Sequence, residues 1–152
     1  VRRGQSAQDM VPLRQVLPDY DIVIDATDQL ENKFLINDVC VSAEKPFVHG
    51  GITGFSGQVM TYVPEKGPCY RCIFGEVPED NAPAPIPVIG VTAGIIGTIQ
   101  AAEAIRYLLG IPSLLTGKLL VLDGLRMQFR TVPFPHISEH CPLHTRKGVT
   151  DL

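Results

Sequence analysis

The stretch Asp-Ile-Val-Ile-Asp-Ala-Thr-Asp at residues 21–28 is a continuous apolar run bounded by acidic residues. Such a run is typical of a central strand in a parallel sheet, because both faces of that strand are covered. Residues 29–44 follow with helical spacing of apolar positions, and Pro46 ends the pattern. Residues 47–49 are the next predicted strand, so strand, helix and strand form one right-handed crossover unit.

The rest of the chain changes to an antiparallel pattern. A glycine-rich connection at 50–57 leads into the later elements, which are a strand at 58–63, a loop at 69–87, a long helix at 89–109, and strands at 118–122 and 127–132. Asp123-Gly124 predicts a hairpin between the last two strands. The expected fold is therefore α/β, with a Rossmann-like parallel portion followed by antiparallel strands, in a single domain over residues 1–152.

Composition argues against several function classes. The 152 residues carry 13 Lys and Arg against 16 Asp and Glu, for a formal net charge of -3, so we expect no nucleic-acid partner. The uncharged stretch 81–102 is long enough to cross a bilayer, but its prolines and glycines predict a loop followed by a buried helix instead. With four cysteines and no apolar signal region at the start, a cytoplasmic protein without a membrane partner is expected.

Two short cysteine motifs predict a metal site. Cys69-Tyr-Arg-Cys72 and Cys141-Pro-Leu-His144 are separated by 68 residues, and each places two ligands on one ion. Four ligands leave no open position, so the predicted ion is structural, and three thiolates with one imidazole favour zinc. Buried cysteines without metal, or a redox pair of Cys69 and Cys72, are the alternatives. His140 could replace His144 as fourth ligand, although His144 has the better spacing.

The acidic end of the first strand is the second candidate site. Ligands of open α/β sheets bind at the carboxyl ends of strands, where Asp25, Thr27 and Asp28 lie. A carboxylate at Asp28 could hold a metal ion against a phosphate. Asp28 with Glu31 equally fits an acidic helix cap. For Asp25, the structural alternative is a hydrogen bond to the neighbouring backbone and no other role.

Three other features are predicted to be structural. The glycine-rich segment 50–57 lacks the lysine of a phosphate loop. Close passage of the backbone beside another element explains its glycines better than phosphate binding does. Small residues along one face of the long helix, Gly90, Gly94, Gly97 and Ala101, permit close approach in the core or across a subunit interface, and core packing is the default. Cys40 lies inside a predicted helix, which indicates a buried and inert thiol.

Several motifs together resemble the ThiF/MoeB/HesA family, relatives of ubiquitin-activating enzymes. They occur in order along nearly the whole chain: Asp-Ile-Val-Ile-Asp-Ala-Thr-Asp-Gln at 21–29, Lys33, Asn37-Asp38, Gly57-Gln58, Pro-Cys-Tyr-Arg-Cys at 68–72, Gly-Thr-Ile-Gln-Ala-Ala-Glu-Ala-Ile-Arg at 97–106, and Leu-Asp-Gly at 122–124. The resemblance implies use of ATP and magnesium to adenylate the C-terminal glycine of a ubiquitin-like sulfur-carrier protein, in thiamine- or molybdopterin-type pathways. It also implies a homodimer and a structural zinc.

The resemblance also implies site residues. Asp28 corresponds to the magnesium and ATP aspartate, and is the one residue expected to be catalytic. Lys33 stands where the family more often has arginine, and Asn37 matches a polar position one helical turn later, so both are expected at the cofactor site. Gln29 replaces the usual asparagine, and His144 replaces the usual fourth cysteine.

Two departures from the family shape the expected activity. The loop at 80–87 contains no cysteine, so activation is expected to stop at the acyl-adenylate. The glycine-rich nucleotide-binding turn of the family's N-terminal half has no counterpart in residues 1–152, so this chain alone is expected to bind ATP poorly. We therefore expect the C-terminal portion of an adenylyltransferase. The alternative is a non-catalytic, zinc-stabilised module that binds a protein or dimerises.

Overall fold

The computed structural model describes residues 13–77 and 87–144. The elements follow in the order β1 (Val23–Asp25), α1 (Leu30–Ser42), β2 (Phe47–Thr53), β3 (Ser56–Tyr62), α2 (Tyr70–Phe74), α3 (Gly90–Leu108), β4 (Lys118–Asp123) and β5 (Gln128–Pro133), with a 3-10 turn at Leu17–Asp19 before β1. Within the described residues, no helix is both long and apolar enough to cross a bilayer.

The described strands form one five-stranded sheet in the order β1-β2-β3-β4-β5. β1 pairs with β2 in parallel, with Val23 opposite Phe47, and the three remaining pairs are antiparallel. Helix α1 connects the two parallel strands, as the crossover pattern requires. The predicted α/β fold, parallel first and antiparallel later, is confirmed.

Each face of the sheet has its own apolar core, because side chains alternate along a strand. Phe47 and Met60 point to one face, where they pack with Phe34 of α1 and Tyr70 of α2. The neighbouring residues Val48 and Val59 point to the other face, where Ile96 and Ala104 of α3 cover them. The sheet thus lies between α3 on one side and the helices α1 and α2 on the other.

The position of β1 differs from its prediction. A central strand covered on both faces is expected from the apolar run, but β1 lies at the edge of the described sheet, and Ile24 is 46% exposed. An apolar run indicates that a segment forms a strand in a sheet. The position of that strand among the others depends on which strands pair with it. Among the described residues, only β2 pairs with β1.

The glycine-rich segment and the segment after it also need correction. β2 continues to Thr53 and β3 starts at Ser56, so most of the supposed connection is a β-hairpin around Gly54 and Phe55. A Cβ on Gly50 would overlap the Gln100 amide of α3, which confirms the predicted close approach of the backbone. The predicted loop at 69–87 contains α2, and its residues 78–86 lie outside the described part of the chain.

The prediction that the small residues of α3 pack in the core is wrong. Gly90, Gly94 and Gly97 have open space where a side chain would project, and Ala101 is exposed. Apart from Ala104, the buried residues of α3 are larger, and they include Ile96, Gln100 and Glu103. Helical spacing showed that the small residues share one face of α3. The side-chain volume needed to fill the space above the sheet determined that another face is buried.

Candidate functional site

The four predicted metal ligands meet in one cluster. Cys69 precedes α2 and Cys72 lies within it, while Cys141 and His144 come from the C-terminal segment. Their ligand atoms all lie within 4.8 Å of one another. The Cys69 Sγ is 3.7 Å from the Sγ of Cys72 and also 3.7 Å from that of Cys141. The Cys72 Sγ is 3.3 Å from the Nδ1 of His144.

These distances fit a tetrahedral ion. Zinc–sulfur bonds of about 2.3 Å at a tetrahedral angle place two sulfur atoms about 3.8 Å apart. Bonds of about 2.3 Å and 2.0 Å at the same angle place a sulfur and an imidazole nitrogen about 3.5 Å apart. The separations observed for Cys69, Cys72 and His144 lie close to both values. A cluster of three thiols and one imidazole could therefore hold a metal ion, with zinc preferred by the softness of its ligands.

The electrostatics of the cluster favour a thiolate at one position. The hydrogen bond from Cys69 lowers the pKa of the Cys72 thiol to about 5, and the same bond raises the pKa of Cys69. Burial raises the pKa of Cys141. Binding of a metal would displace the remaining thiol protons, so affinity at such a site increases with pH.

Of the two histidines considered for the fourth position, the structure brings His144 to the cluster. His140 is exposed, and its backbone amide bonds to the Ser138 hydroxyl. The four cysteines of the chain all lie in its described part, and none of them forms a disulfide.

Helix α1 supports the cluster through two side chains. The Asn37 Oδ1 accepts a 2.8 Å hydrogen bond from the amide of Tyr70, the residue after Cys69. Asp38 accepts two hydrogen bonds from Arg71, at 2.6 and 2.7 Å. This bidentate pair raises the pKa of the Arg71 guanidinium, which also stacks 4.8 Å above the Phe34 ring. Asn37 is fully buried, and its amide group also donates to Asp38.

A buried polar network underlies the carboxyl end of β1. Asp25 is 1% exposed, and its carboxylate bonds to His49 Nδ1 at 2.8 Å and to the Thr27 hydroxyl at 2.7 Å. Burial alone would raise the pKa of Asp25, but the His49 bond, the Lys33 charge and the Thr27 bond together lower it. On the other side of β1, Gln100 donates to the carbonyl oxygens of Asp25 and Val48. Asp25 therefore contacts far more than the neighbouring backbone, which corrects that expectation.

Lys33 lies inside this network. Its Nζ donates to the Thr27 carbonyl at 2.6 Å and the Gly50 carbonyl at 2.7 Å, and it lies 3.4 Å from the Asp25 carboxylate. Its side chain is 9% exposed. Burial lowers the pKa of Lys33, and the charges of Asp25 and Asp28 act in the opposite direction.

Asp28 itself is exposed at the end of β1. Helix α1 begins at Leu30 with Gln29 as its N-cap, and no side chain makes a capping bond there. The alternative in which Asp28 caps the helix is therefore wrong. Its carboxylate remains at the surface, where a ligand can reach it.

Sequence reasoning missed His49, Gln100 and Arg71. A polar residue at the end of an apolar strand was the available signal for His49, and the signal for Gln100 was its place four residues after Ile96 on a buried helix face. Arg71 lies between two predicted ligands, but its partner Asp38 is 33 residues away, and spacing alone could not connect them.

Comparison with known proteins agrees with this architecture. A family model described as the ThiF family matches residues 3–143. The chain belongs to the ThiF family. A curated relative, the SAMP-activating enzyme E1 of Haloferax volcanii, is 41% identical over 150 residues, which are 95% of this chain and 54% of that protein. An adenylyltransferase and sulfurtransferase MOCS3 of Culex quinquefasciatus is 40% identical over 120 residues, which are 77% of this chain and 27% of that protein.

Solved structures show the same fold. The Escherichia coli protein MccB crystallised with ATP has a TM-score of 0.73 and 20% identity, and the match covers 91% of this chain and 43% of MccB. This ThiF-family chain spans about half the length of the Haloferax relative and less of the other two proteins.

Proposed function

We propose that this ThiF-family chain is part of an ATP-dependent adenylyltransferase that activates the C-terminal glycine of a ubiquitin-like sulfur-carrier protein, in thiamine- or molybdopterin-type biosynthesis. The observation that carries the proposal is the exposed carboxylate of Asp28 at the carboxyl end of β1. Ligands of α/β sheets bind at that edge. Family membership, together with relatives named as an activating enzyme and an adenylyltransferase, supports the reaction class.

In the proposed reaction, the terminal carboxylate of the carrier attacks the α-phosphorus of ATP. A carboxyl–phosphate bond forms, the bond to the departing pyrophosphate breaks, and the products are an acyl-adenylate and pyrophosphate. Asp28 would hold magnesium, which supplies positive charge against the phosphates. The resemblance implies that Lys33 and Asn37 belong to the same site, and that assignment stays a prediction.

The cysteine–histidine cluster has a separate role in the proposal. Cys69, Cys72, Cys141 and His144 would hold one structural zinc that ties the C-terminal segment to α2. Because all four positions would be filled by protein, no substrate could bind that ion. The zinc would therefore contribute to stability and take no part in adenylation.

The proposal includes a homodimer in the cytoplasm. Four apolar side chains of α3 or its C-terminal end are strongly exposed: Val91 at 71%, Ile105 and Leu108 at 56% and Leu109 at 68%. An apolar helix face of this kind is suited to a second subunit. Four cysteines that form no disulfide are consistent with a reducing compartment.

Exchange of labelled pyrophosphate into ATP, measured with a sulfur carrier, tests the proposed reaction. Residues 1–152 alone should show no exchange, whereas a longer chain that supplies a glycine-rich nucleotide-binding turn should be active. In that chain, Asp28→Asn should abolish exchange without loss of stability, and Asp21→Asn, at the exposed opposite end of β1, should be harmless. Exchange that survives Asp28→Asn would refute the assigned role, and exchange by residues 1–152 alone would show that the site is complete.

A non-catalytic module that binds a protein or dimerises is the second candidate, favoured by the exposed face of α3. Such a module would keep its zinc and its partner but would show no carrier-dependent exchange in any longer form. The exchange measurement therefore separates the two candidates.

A further inference from the structure

We infer that Lys33 serves the nucleotide site as a positioning residue, which fixes the backbone that presents Asp28 and does not contact the phosphates. This inference rests on the proposed function, because it assigns the part that Lys33 plays at the adenylation site.

A lysine ammonium has three donors and no acceptor. The Nζ of Lys33 has three acceptors around it, namely the carbonyl oxygens of Thr27 and Gly50 and the carboxylate of Asp25. The side chain is 9% exposed, so solvent competes little for these donors. No donor remains for a phosphate oxygen unless a bond inside the network breaks, and a buried acceptor without its donor is costly.

The three acceptors show what Lys33 holds in place. Thr27 directly precedes Asp28, so the shortest of the bonds, 2.6 Å, fixes the peptide that leads into the exposed carboxylate. Gly50 lies in the middle of β2, next to His49, which is the partner of the last residue of β1. The Thr27 amide and hydroxyl are bound in turn by Asp25. Lys33 thus ties the segment after β1 to β2, and the direction of Asp28 depends on that link.

The first measurement uses residues 1–152 and needs no activity. Lys33→Met removes the donors and keeps the length of the side chain. We expect hydrogen exchange of the amides at 26–29 to accelerate by about tenfold to a hundredfold. The matched control is Lys45→Met, because Lys45 also donates to a carbonyl, that of Tyr20, but in an exposed bond. Lys33→Arg, which retains donors, should restore most of the protection. Unchanged exchange at 26–29 in Lys33→Met would overturn the inference.

The second measurement uses the longer, active chain. If Lys33 acts through Asp28, Lys33→Met should raise the magnesium concentration needed for half-maximal pyrophosphate exchange by about tenfold, with the KM for ATP unchanged at saturating magnesium. A direct phosphate ligand would instead raise the KM for ATP by a similar factor, and that result would refute the inference. If the wild-type longer chain showed no exchange at all, the proposed function would fail, while hydrogen exchange would still decide whether Lys33 holds the segment.

A third measurement applies if Lys33→Met does not fold. In the wild-type protein, a buried ammonium with three acceptors should give a slowly exchanging Nζ signal by nitrogen-detected NMR at neutral pH, and in the longer, active chain addition of magnesium and ATP should leave that signal unshifted. A Lys33 signal that exchanges as fast as those of surface lysines would contradict the inference.

Discussion

The Asn37 side-chain oxygen accepts a hydrogen bond of 2.8 Å from the Tyr70 backbone amide. Tyr70 follows the first cysteine of the metal cluster, and Asn37 lies one helical turn after Lys33. Helix α1 therefore contacts both candidate sites, the segment that presents Asp28 at its start and the metal cluster in its second half. Loss of the metal cluster should consequently disturb the segment that presents Asp28. Changes in that segment should likewise disturb the cluster.

Zinc content is the most direct test of the cluster. Metal-replete protein should contain one zinc per chain, and chelation should lower its melting temperature, because zinc contributes about 10–16 kcal/mol in small zinc peptides. His144→Ala should lose most of this zinc, whereas His140→Ala should retain it. Elemental analysis that finds no zinc would refute the site, and greater loss in His140→Ala would reassign the fourth ligand.

The Arg71–Asp38 ion pair should contribute more to the free energy of unfolding than an exposed pair of the same type. Its side chains are 14% and 17% exposed, and the contact is bidentate. We expect Arg71→Gln to lower the free energy of unfolding of the zinc-loaded chain by about 1.5–3 kcal/mol. Arg126→Gln, which breaks the exposed pair with Asp123, is the control and should leave stability unchanged in urea titrations. Equal effects of the two changes would show that the Arg71 contact stabilises the fold no more than an exposed ion pair does.

Two glycine substitutions should act in opposite directions. Gly50→Ala should displace the Gln100 amide from the Asp25 and Val48 carbonyls, at a cost of about 1–3 kcal/mol. Gly94→Ala, on the open face of α3, should raise stability by about 0.5–1 kcal/mol, because alanine loses less backbone entropy in a helix. Thermal unfolding of both variants measures the difference, and a neutral Gly50→Ala would mean that Gln100 moves without losing its bonds.

Stability should depend on pH through His49. Burial lowers the pKa of His49 from its usual value of 6.5, and the hydrogen bond to Asp25 only partly offsets this. The unfolded chain takes up the proton near pH 6.5, whereas the folded chain does so only at lower pH. The free energy of unfolding is therefore fully retained above pH 6.5 and decreases as the pH falls through the lowered pKa, by about 1.4 kcal/mol for each unit between the two pKa values.

Urea titrations of the zinc-loaded chain between about pH 8 and pH 5 measure this dependence. His49→Gln should reduce the slope below that of the wild type in that range, leaving the part that comes from the metal cluster, and His136→Gln, at an exposed position, should reproduce the wild-type slope. If the slope of His49→Gln matched the wild type, the pH dependence would have to come from other groups.

Cys40 should be chemically inert in the folded chain. Burial, with a smaller effect from the Asp25 charge, raises the pKa of the Cys40 thiol to about 12. Iodoacetamide at pH 8 should leave Cys40 unmodified until urea unfolds the protein. For the same reason, activation should stop at the acyl-adenylate. A reductant-sensitive carrier adduct that disappears in Cys40→Ala would contradict this expectation.

Local patterns predicted those parts of the molecule that depend on neighbouring residues in sequence. Helical spacing predicted α1, because the period of a helix is set by its backbone, and a continuous apolar run predicted the strand within residues 21–28. The ligands Cys69 and Cys72 could be recognised from a two-residue gap, since that gap alone brings their side chains together.

The remaining features depend on contacts between distant segments. The positive charge of Lys33 gave no sign that its donors are occupied by Thr27 and by Gly50, which is 17 residues away. Likewise, the small residues of α3 formed a clear stripe, but only the packing above the sheet determined that the stripe faces outward.

Each strand of the sheet pairs with the strand next to it in sequence, whereas Cys69 and Cys141 of the metal cluster are 72 residues apart. An ion held by both ends would therefore close a loop containing α3, β4 and β5. If the ion stayed bound during unfolding, a loop of this size would remove about 4 kcal/mol of chain entropy from the denatured ensemble, as a disulfide does. The cluster would then act as a reversible crosslink, which stabilises the C-terminal half of the chain by restricting the states that it can reach when unfolded.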